Sequence, residues 1–350
     1  MKLICSKNNL QKSVSIVMKA VPSKTTMPIL ECILIDASAG EIKFTTNDME
    51  LGIETKVEGQ ILEKGIIAID AKIFSDIVRK LPDSNVTIET DSKMQAVITC
   101  EKARFAISGK SGDDFACLPY VERQERISIS QFTLKELVRQ TIFSIAVNEN
   151  NKMMTGELFE VNGNSLKVAS LDGHRISIRK VELKETYNHH KVIVPGKTLT
   201  EVSKILSGET EDEVNLFFTE NHILFEFDDT VVVSRLIEGK YFNIDQMLSS
   251  DYETLLVKES DRKPIIITIT EGMMELKINS DIGSMNEEID IEKEGKDIMI
   301  GFNPKFLMDA LRVIDDETVD IYLVNSKAPC FIRNQEESYI YLILPVNFTA

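Results

Sequence analysis

Three times along the chain a short apolar run leads into a helical pattern. Val192-Ile193-Val194 reads as a buried strand, Pro195-Gly196 breaks it, and Lys197 to Leu206 then sets apolar residues at helical spacing. Ile66 to Leu81 and Ile298 to Ile314 repeat this text. With the copies aligned on Lys72, Lys197 and Lys305, the positions two, five and nine residues later are Phe74, Ile77 and Leu81, then Leu199, Val202 and Leu206, then Leu307, Ala310 and Ile314. A second base follows each lysine by seven residues, at Arg79, Lys204 and Arg312. Seven residues span two helical turns, so each pair of bases shares one face, opposite the apolar one.

The text between these segments repeats as well. Leu10, Val14, Val17 and Val21 mark a helix with Lys12 and Lys19 on its far side, Ser23 to Met27 is a polar loop carrying Lys24, and Ile29 to Ile35 reads as a buried strand. Strand patterning runs over Glu41 to Glu58, and Val86 to Ile88, Ala96 to Ile98 and Arg104 to Ile107 form a meander. The second pass has a strand at Ile127 to Ile129 and a helix at Phe132 to Ile145 carrying Lys135 and Arg139. Strands at Leu158 to Val161, Leu166 to Ala169 and Arg175 to Ile178 follow, and a meander runs from Val214 to Leu236. A third pass runs through Ile265 to Ile269, Glu275 to Ile278, Glu288 to Ile291, Val319 to Val324, Cys330 to Arg333 and Tyr339 to Leu344.

Lys72 and Lys197 are 125 residues apart, but Lys197 and Lys305 only 108. The predicted architecture is therefore α+β, with three repeated units at 1–125, 126–249 and 250–350, the third missing its first strand and helix near Thr254-Leu255. A genuine loss would bare an apolar edge in that unit; residues merely left out of the text would show as a chain break there.

The N-terminus has no apolar signal region and no run is long enough to span a membrane, which points to a soluble cytoplasmic protein. The five cysteines are widely spaced, with no CxxC pair, and read as buried thiols rather than disulfides or zinc ligands. A net charge of −16 speaks against a polyanionic partner until its distribution is considered. The five basic helical segments sum to +7 and leave −23 for the rest, so base is concentrated in helices and acid in strands and turns. Such faces are either merely solvated or turned toward a polyanion.

The repeat, with Thr46-Asn47-Asp48-Met49-Glu50, Leu171-Asp172-Gly173-His174-Arg175, Val192 to Pro195, Arg235-Leu236-Ile237-Glu238-Gly239 and Leu344-Pro345, resembles the bacterial DNA polymerase III beta subunits, the sliding clamps, over essentially the whole chain. The resemblance implies three DNA-clamp domains per subunit, helices lining a ring interior with sheets outside, and a head-to-tail homodimer around duplex DNA. It adds Lys24 to the helix bases as a residue near DNA. It implies a peptide pocket at Met154, Leu171, Gly173, His174, Arg175, Ile176, Phe242, Gln246, Met247, Pro329, Leu342, Leu344, Pro345 and Val346, with Phe242 and Gln246 departing from the family pattern. The pocket would take short peptide motifs of the DNA polymerase III catalytic subunit, the clamp loader and other replication or repair proteins. It also implies a subunit interface of Arg104, Phe105 and Ile107 against Leu255, Leu256, Glu287 and Glu288. No cofactor is implied.

Two motifs suggest other chemistry. Asp172-Gly173-His174 invites a hydrolytic or metal reading, but His189, His190 and His222 stand in polar, loop-like text without ligand spacing. Ser108-Gly109-Lys110-Ser111-Gly112 contains part of a phosphate-binding loop, yet Arg104 occupies the position of its first glycine, so the stretch reads as a flexible loop. The thirteen methionines read mainly as core, with Met154 and Met247 as pocket walls. A processivity clamp thus stands against an acidic protein-binding scaffold and, more remotely, a hydrolase acting through His174.

Overall fold

The computed structural model describes residues 1–147, 151–249, 263–280 and 282–348. The first repeat holds β1 (Lys2–Ser6), α1 (Lys7–Val17), β2 (Cys32–Asp36), β3 (Ile42–Asn47), β4 (Leu51–Val57), β5 (Gln60–Glu63), β6 (Ile66–Asp70), α2 (Ala71–Lys80), β7 (Asn85–Thr90), β8 (Gln95–Cys100) and β9 (Ala103–Lys110). The second holds β10 (Ile127–Ser130), α3 (Gln131–Arg139), β11 (Gly156–Leu171), β12 (Arg175–Pro195), α4 (Gly196–Ile205), β13 (Glu213–Phe218), β14 (His222–Phe227), β15 (Thr230–Arg235) and α5 (Ile244–Ser249). The third holds β16 (Ile265–Thr270), β17 (Met273–Ser280), β18 (Gly283–Asp290), β19 (Ile298–Phe302), α6 (Pro304–Leu311), β20 (Ile321–Tyr322), β21 (Cys330–Arg333) and β22 (Tyr339–Ile343).

Local chemistry starts the helices where the periodicity places them. The Ser6 hydroxyl accepts the Asn9 N–H at 3.1 Å, Asp70 accepts that of Ile73 at 2.8 Å, and Asn303 accepts that of Lys305 at 3.0 Å with Pro304 in the first turn. Phe74, Leu81, Leu199, Val202, Leu206, Leu307 and Ala310 are all buried, as the opposed-face pattern requires.

The chain forms two compact units, one of residues 1–133 and 200–236, the other of 134–199 and 237–350. The first contains a 13-stranded sheet in the order β10-β13-β14-β15-β4-β3-β2-β6-β9-β8-β7-β1-β5. Here β15 pairs antiparallel with β4, from Thr230 opposite Thr55 to Ser234 opposite Leu51, which joins the second repeat's meander to the first repeat. The second unit contains a five-stranded sheet, β11-β12-β22-β21-β20, and a four-stranded one, β18-β17-β16-β19. Pairing of Arg175 to Arg179 with Ile343 to Tyr339 links the second and third repeats. The units thus divide the chain differently from the repeats because strand pairing crosses the repeat boundaries.

Several local expectations change. Ile29 to Ile35 is not one strand, because Pro28 opens a 3-10 turn over Pro28–Glu31 before β2. The helix expected to reach Ile145 stops at Arg139; the Thr141 hydroxyl bonds back to the Leu137 carbonyl at 2.6 Å and a 3-10 turn, Ile142–Ser144, follows. The pairs of short strands expected around Leu158 to Ala169 and Arg175 to Val194 are two long ones, β11 and β12, that pair along most of their length; His189 and His190 therefore lie in a strand, and His222 opens another. Ser108 to Gly112 is no flexible loop. A Cβ at Gly109 would lie 2.6 Å from the Ile67 side chain and one at Gly112 2.5 Å from that of Ile66, so these glycines permit close packing. The third basic helix ends at Leu311 rather than Ile314, with Arg312 as its C-cap, and the strand at Val319 to Val324 shrinks to Ile321–Tyr322.

The Thr254-Leu255 junction lies outside the described residues. In the four-stranded sheet, register puts Ile267, Ile269, Met274, Leu276, Met285, Ile289 and Ile300 on one face. Ile267 and Ile300 pack with α6 in a buried cluster, whereas Met285 and Ile289 on β18 remain 43% and 39% exposed.

One buried group is out of keeping with the core. Glu157, on β11 opposite Val194, is wholly buried, and neither carboxylate oxygen has a hydrogen-bond partner among the described residues. Burial pushes it up to about 8; the nearby Thr141 hydroxyl opposes this but already donates to Leu137. Because the folded value is raised, the stability contribution is fully present below the unfolded value of 4.5 and is lost as pH rises through about 8. Thermal unfolding at pH 5 and pH 9 should therefore show the native chain losing stability relative to Glu157→Gln at the higher pH, by on the order of 1–3 kcal/mol. A wild-type-to-variant difference that does not change with pH would show that Glu157 does not titrate in the fold.

Candidate nucleic-acid interface and peptide groove

The helix bases fall into three groups. Lys12, Lys24, Lys72, Lys197 and Arg312 are exposed, while Lys19 and Lys135 are half-buried. Arg79, Lys204 and Lys305 are exposed but paired within their own helices, to Asp76 at 2.7 Å, to Glu201 at 2.8 Å and to Asp309. The Arg79–Asp76 pair, exposed on both sides, contributes at most about 1 kcal/mol, whereas Glu201 and Asp309 are largely buried beneath their lysines. Arg139 differs, because its guanidinium is held by Glu136 at 2.5 Å and by Asp315 at 2.6 Å. It links two acidic side chains, one on its own helix and one far along the chain.

Within the second unit, β11, β12, β22 and the segment running into α5 converge on one apolar cluster. Leu171, Ile176 and Leu342 are buried in it, and Met154, Phe242, Met247 and Leu344 pack against it half-buried, so seven of the expected pocket residues come together. The sequence reading missed Tyr241, Ile178, Ile340, Met153 and Phe331 in the same cluster. The alternation of Ile340, Leu342 and Leu344, and Tyr241 beside Phe242, were the available signals. Tyr241 is buried with its hydroxyl 3.5 Å from the Gly156 and Ala169 carbonyls, and its ring meets Phe242 edge-on.

The rim is a tight turn. Asp172 Oδ1 accepts the His174 and Arg175 N–H groups at 3.0 and 3.2 Å, Gly173 takes a φ of +87° that favours glycine, and the Leu344 N–H donates to the His174 carbonyl at 2.9 Å. His174 is exposed, with its ring stacked on Phe306. Gln246 is exposed on α5, whereas Pro329, Pro345 and Val346 are buried. Val346 donates its N–H to the Gly301 carbonyl at 2.9 Å.

Arg175 is 6% exposed and works as a strut. Its Nε donates to Asp172 Oδ2 at 3.0 Å, Nη1 to Asp309 Oδ2 at 2.7 Å, and Nη2 to the Phe143 carbonyl. The guanidinium carbon also lies 4.5 Å from the Phe306 ring centre. Burial alone would push Asp309 up, but hydrogen bonds from Lys305 and Arg175 hold it below the usual carboxylate range.

Among the strand edges left unpaired are those of β9 and β18. β6 takes only Gly109 and Lys110 of β9, leaving Ala103 to Ser108 paired on one side alone, with Arg104 exposed and Phe105 37% exposed. Ile107 is only 7% exposed. β18 is the outer strand of its sheet and every residue in it is exposed, Glu287 and Glu288 included. Leu255 and Leu256 lie outside the described residues. Among the described residues no group of His, Cys, Asp or Glu gathers as a metal site, and no helix is long and apolar enough to cross a membrane.

Residues 1–119, 128–243 and 250–347 match the family models of the N-terminal, central and C-terminal domains of the DNA polymerase III beta subunit. A curated relative, the beta sliding clamp of Staphylococcus aureus, is 32% identical over 357 residues, covering 94% of each chain. The solved DNA polymerase sliding clamp of Bacillus subtilis is 32% identical with a TM-score of 0.92, covering 100% of both chains. A structure from Eubacterium rectale, described as of a DNA polymerase III beta subunit, is 66% identical with a TM-score of 0.95, covering 99% of this chain and 100% of that one.

The strut makes a stability prediction. Arg175→Lys retains charge but loses the planar fork that reaches two carboxylates and a carbonyl, so chemical unfolding of the second unit should show a loss of about 2–4 kcal/mol. A loss below about 0.5 kcal/mol, the size of an exposed pair, would remove Arg175 from that role.

Proposed function

Because the chain belongs to the DNA polymerase III beta subunit family, we propose that it is a sliding clamp, a non-catalytic ring that holds a replicative polymerase on duplex DNA. The observation that carries this reading is the threefold recurrence of a helix with an apolar face on a sheet and bases at Lys72 and Arg79, Lys197 and Lys204, and Lys305 and Arg312. These bases, with Lys12, Lys19, Lys24 and Lys135, meet phosphates and no base edges, so the ring is held without being fixed to a sequence. Three clamp domains, at 1–125, 126–249 and 250–350, make half of the ring, and two copies close it head to tail in the cytoplasm. The open edge of β9, with Arg104 and Phe105, pairs with β18, with Glu287 and Glu288; Leu255 and Leu256 belong to the same contact.

The apolar cluster beside the Asp172 to His174 turn takes short peptide segments of the polymerase III catalytic subunit, the clamp loader and other replication or repair proteins. Its occupied part consists of Met154, Leu171, Gly173, His174, Ile176, Phe242, Gln246, Met247, Leu342 and Leu344. The buried apolar floor and the pre-formed rim suit an extended peptide with apolar anchors.

Replacing Lys72, Lys197 and Lys305 together with glutamate should lower retention on nicked circular duplex by at least about tenfold at moderate salt, without changing the mass of the free protein. Retention equal to wild type would mean that these faces are merely solvated and that the chain is a protein-binding scaffold.

A further inference from the structure

On α6, Lys305 and Asp309 are one helical turn apart and share a face. The Lys305 ammonium and the Arg175 guanidinium both donate to a single atom, Asp309 Oδ2. The two cations are not equivalent. The Lys305 side chain is 45% exposed and free to follow a competing anion, whereas Arg175 is enclosed by Asp172, the Phe143 carbonyl and the Phe306 ring. Arg175 in turn braces Asp172, whose other oxygen holds the His174 and Arg175 N–H groups and so shapes the rim of the groove. Lys305, Asp309, Arg175 and Asp172 therefore form an unbroken chain of alternating charge from a helix surface to the groove rim.

Resting on the clamp reading above, we propose that this chain is a relay through which a duplex phosphate at Lys305 tightens the peptide groove. A phosphate drawing Lys305 away leaves Asp309 Oδ2 to Arg175 alone. The charge-assisted bond between them strengthens once its competitor has gone. Arg175 is then held more firmly between two carboxylates, and the Asp172 to His174 turn stiffens. A rim already ordered costs a peptide less to bind, so affinity rises. Linkage is reciprocal, so a peptide in the groove tightens the hold on duplex by the same factor. Asp309 acts here as a positioning residue and touches neither ligand.

The test is hydrogen exchange at the His174, Arg175 and Leu344 amides in the full-length protein, with and without nicked circular duplex. Duplex should slow exchange at these amides by about fivefold, a modest coupling factor. Lys305→Ala, a change at an exposed residue, should produce the slow exchange without duplex and show no further response to it, and Asp309→Asn should abolish the response. Duplex that is retained while the turn exchanges as before, or faster, overturns the relay and leaves the clamp reading standing. A response that survives in Asp309→Asn overturns it too, because protection then comes from elsewhere. Failure to retain duplex at all overturns both.

Discussion

Antiparallel pairing between strands of different repeats holds each compact unit together, and the functional surfaces depend on it. β4 and β15 pair over five positions in one unit and β12 and β22 over five in the other. A slip of one residue at either seam would send every inward side chain to the opposite face, so register is fixed by burial. At the first seam the buried hydroxyls of Thr55 and Thr230 lie 2.9 Å apart and satisfy each other. At the second, the register sets Ile176 opposite Leu342 and Ile178 opposite Ile340, which is how one apolar cluster is assembled from two repeats. The proposed ring uses the same device a third time, between chains, at the edges of β9 and β18.

The charge arrangement follows from this division of labour. Strands that pair edge to edge need no net charge. Helices that turn their apolar side to a sheet have one side left, and here it carries the bases. A net charge of −16 is therefore compatible with a basic interior in the proposed ring. Acid also tempers that interior, since Asp76, Glu201 and Asp309 each pair with a helix base one turn away. Such tempering favours weak, mobile contact with DNA over a fixed complex.

The helical repeat, its apolar faces and most strands were legible in the sequence because they rest on local periodicity. Misreadings came where tertiary contacts override it. Polar residues around Gly163 and His190 hid the length of β11 and β12, which is set by their mutual pairing rather than by hydrophobicity. Gly109 and Gly112 look like a flexible loop in isolation, but their use is to admit Ile67 and Ile66. Among the residues expected at a site, the apolar ones that share one cluster were legible, because hydrophobic patterning marks any core. The charged ones were not: Arg139 and Arg175 are held by Asp315 and Asp309, far away in sequence, and no local pattern announces those partners. Glu157 gave no signal either, since its single charge lies in a strand between apolar neighbours.

Strand pairing as the organising device makes its largest claim at the open edges of β9 and β18. Sedimentation equilibrium of the intact chain at micromolar concentration tests that claim most directly. Edge-to-edge closure predicts a species of about twice the 39.5 kDa chain mass. A single species at the chain mass, unchanged as concentration rises, would contradict it.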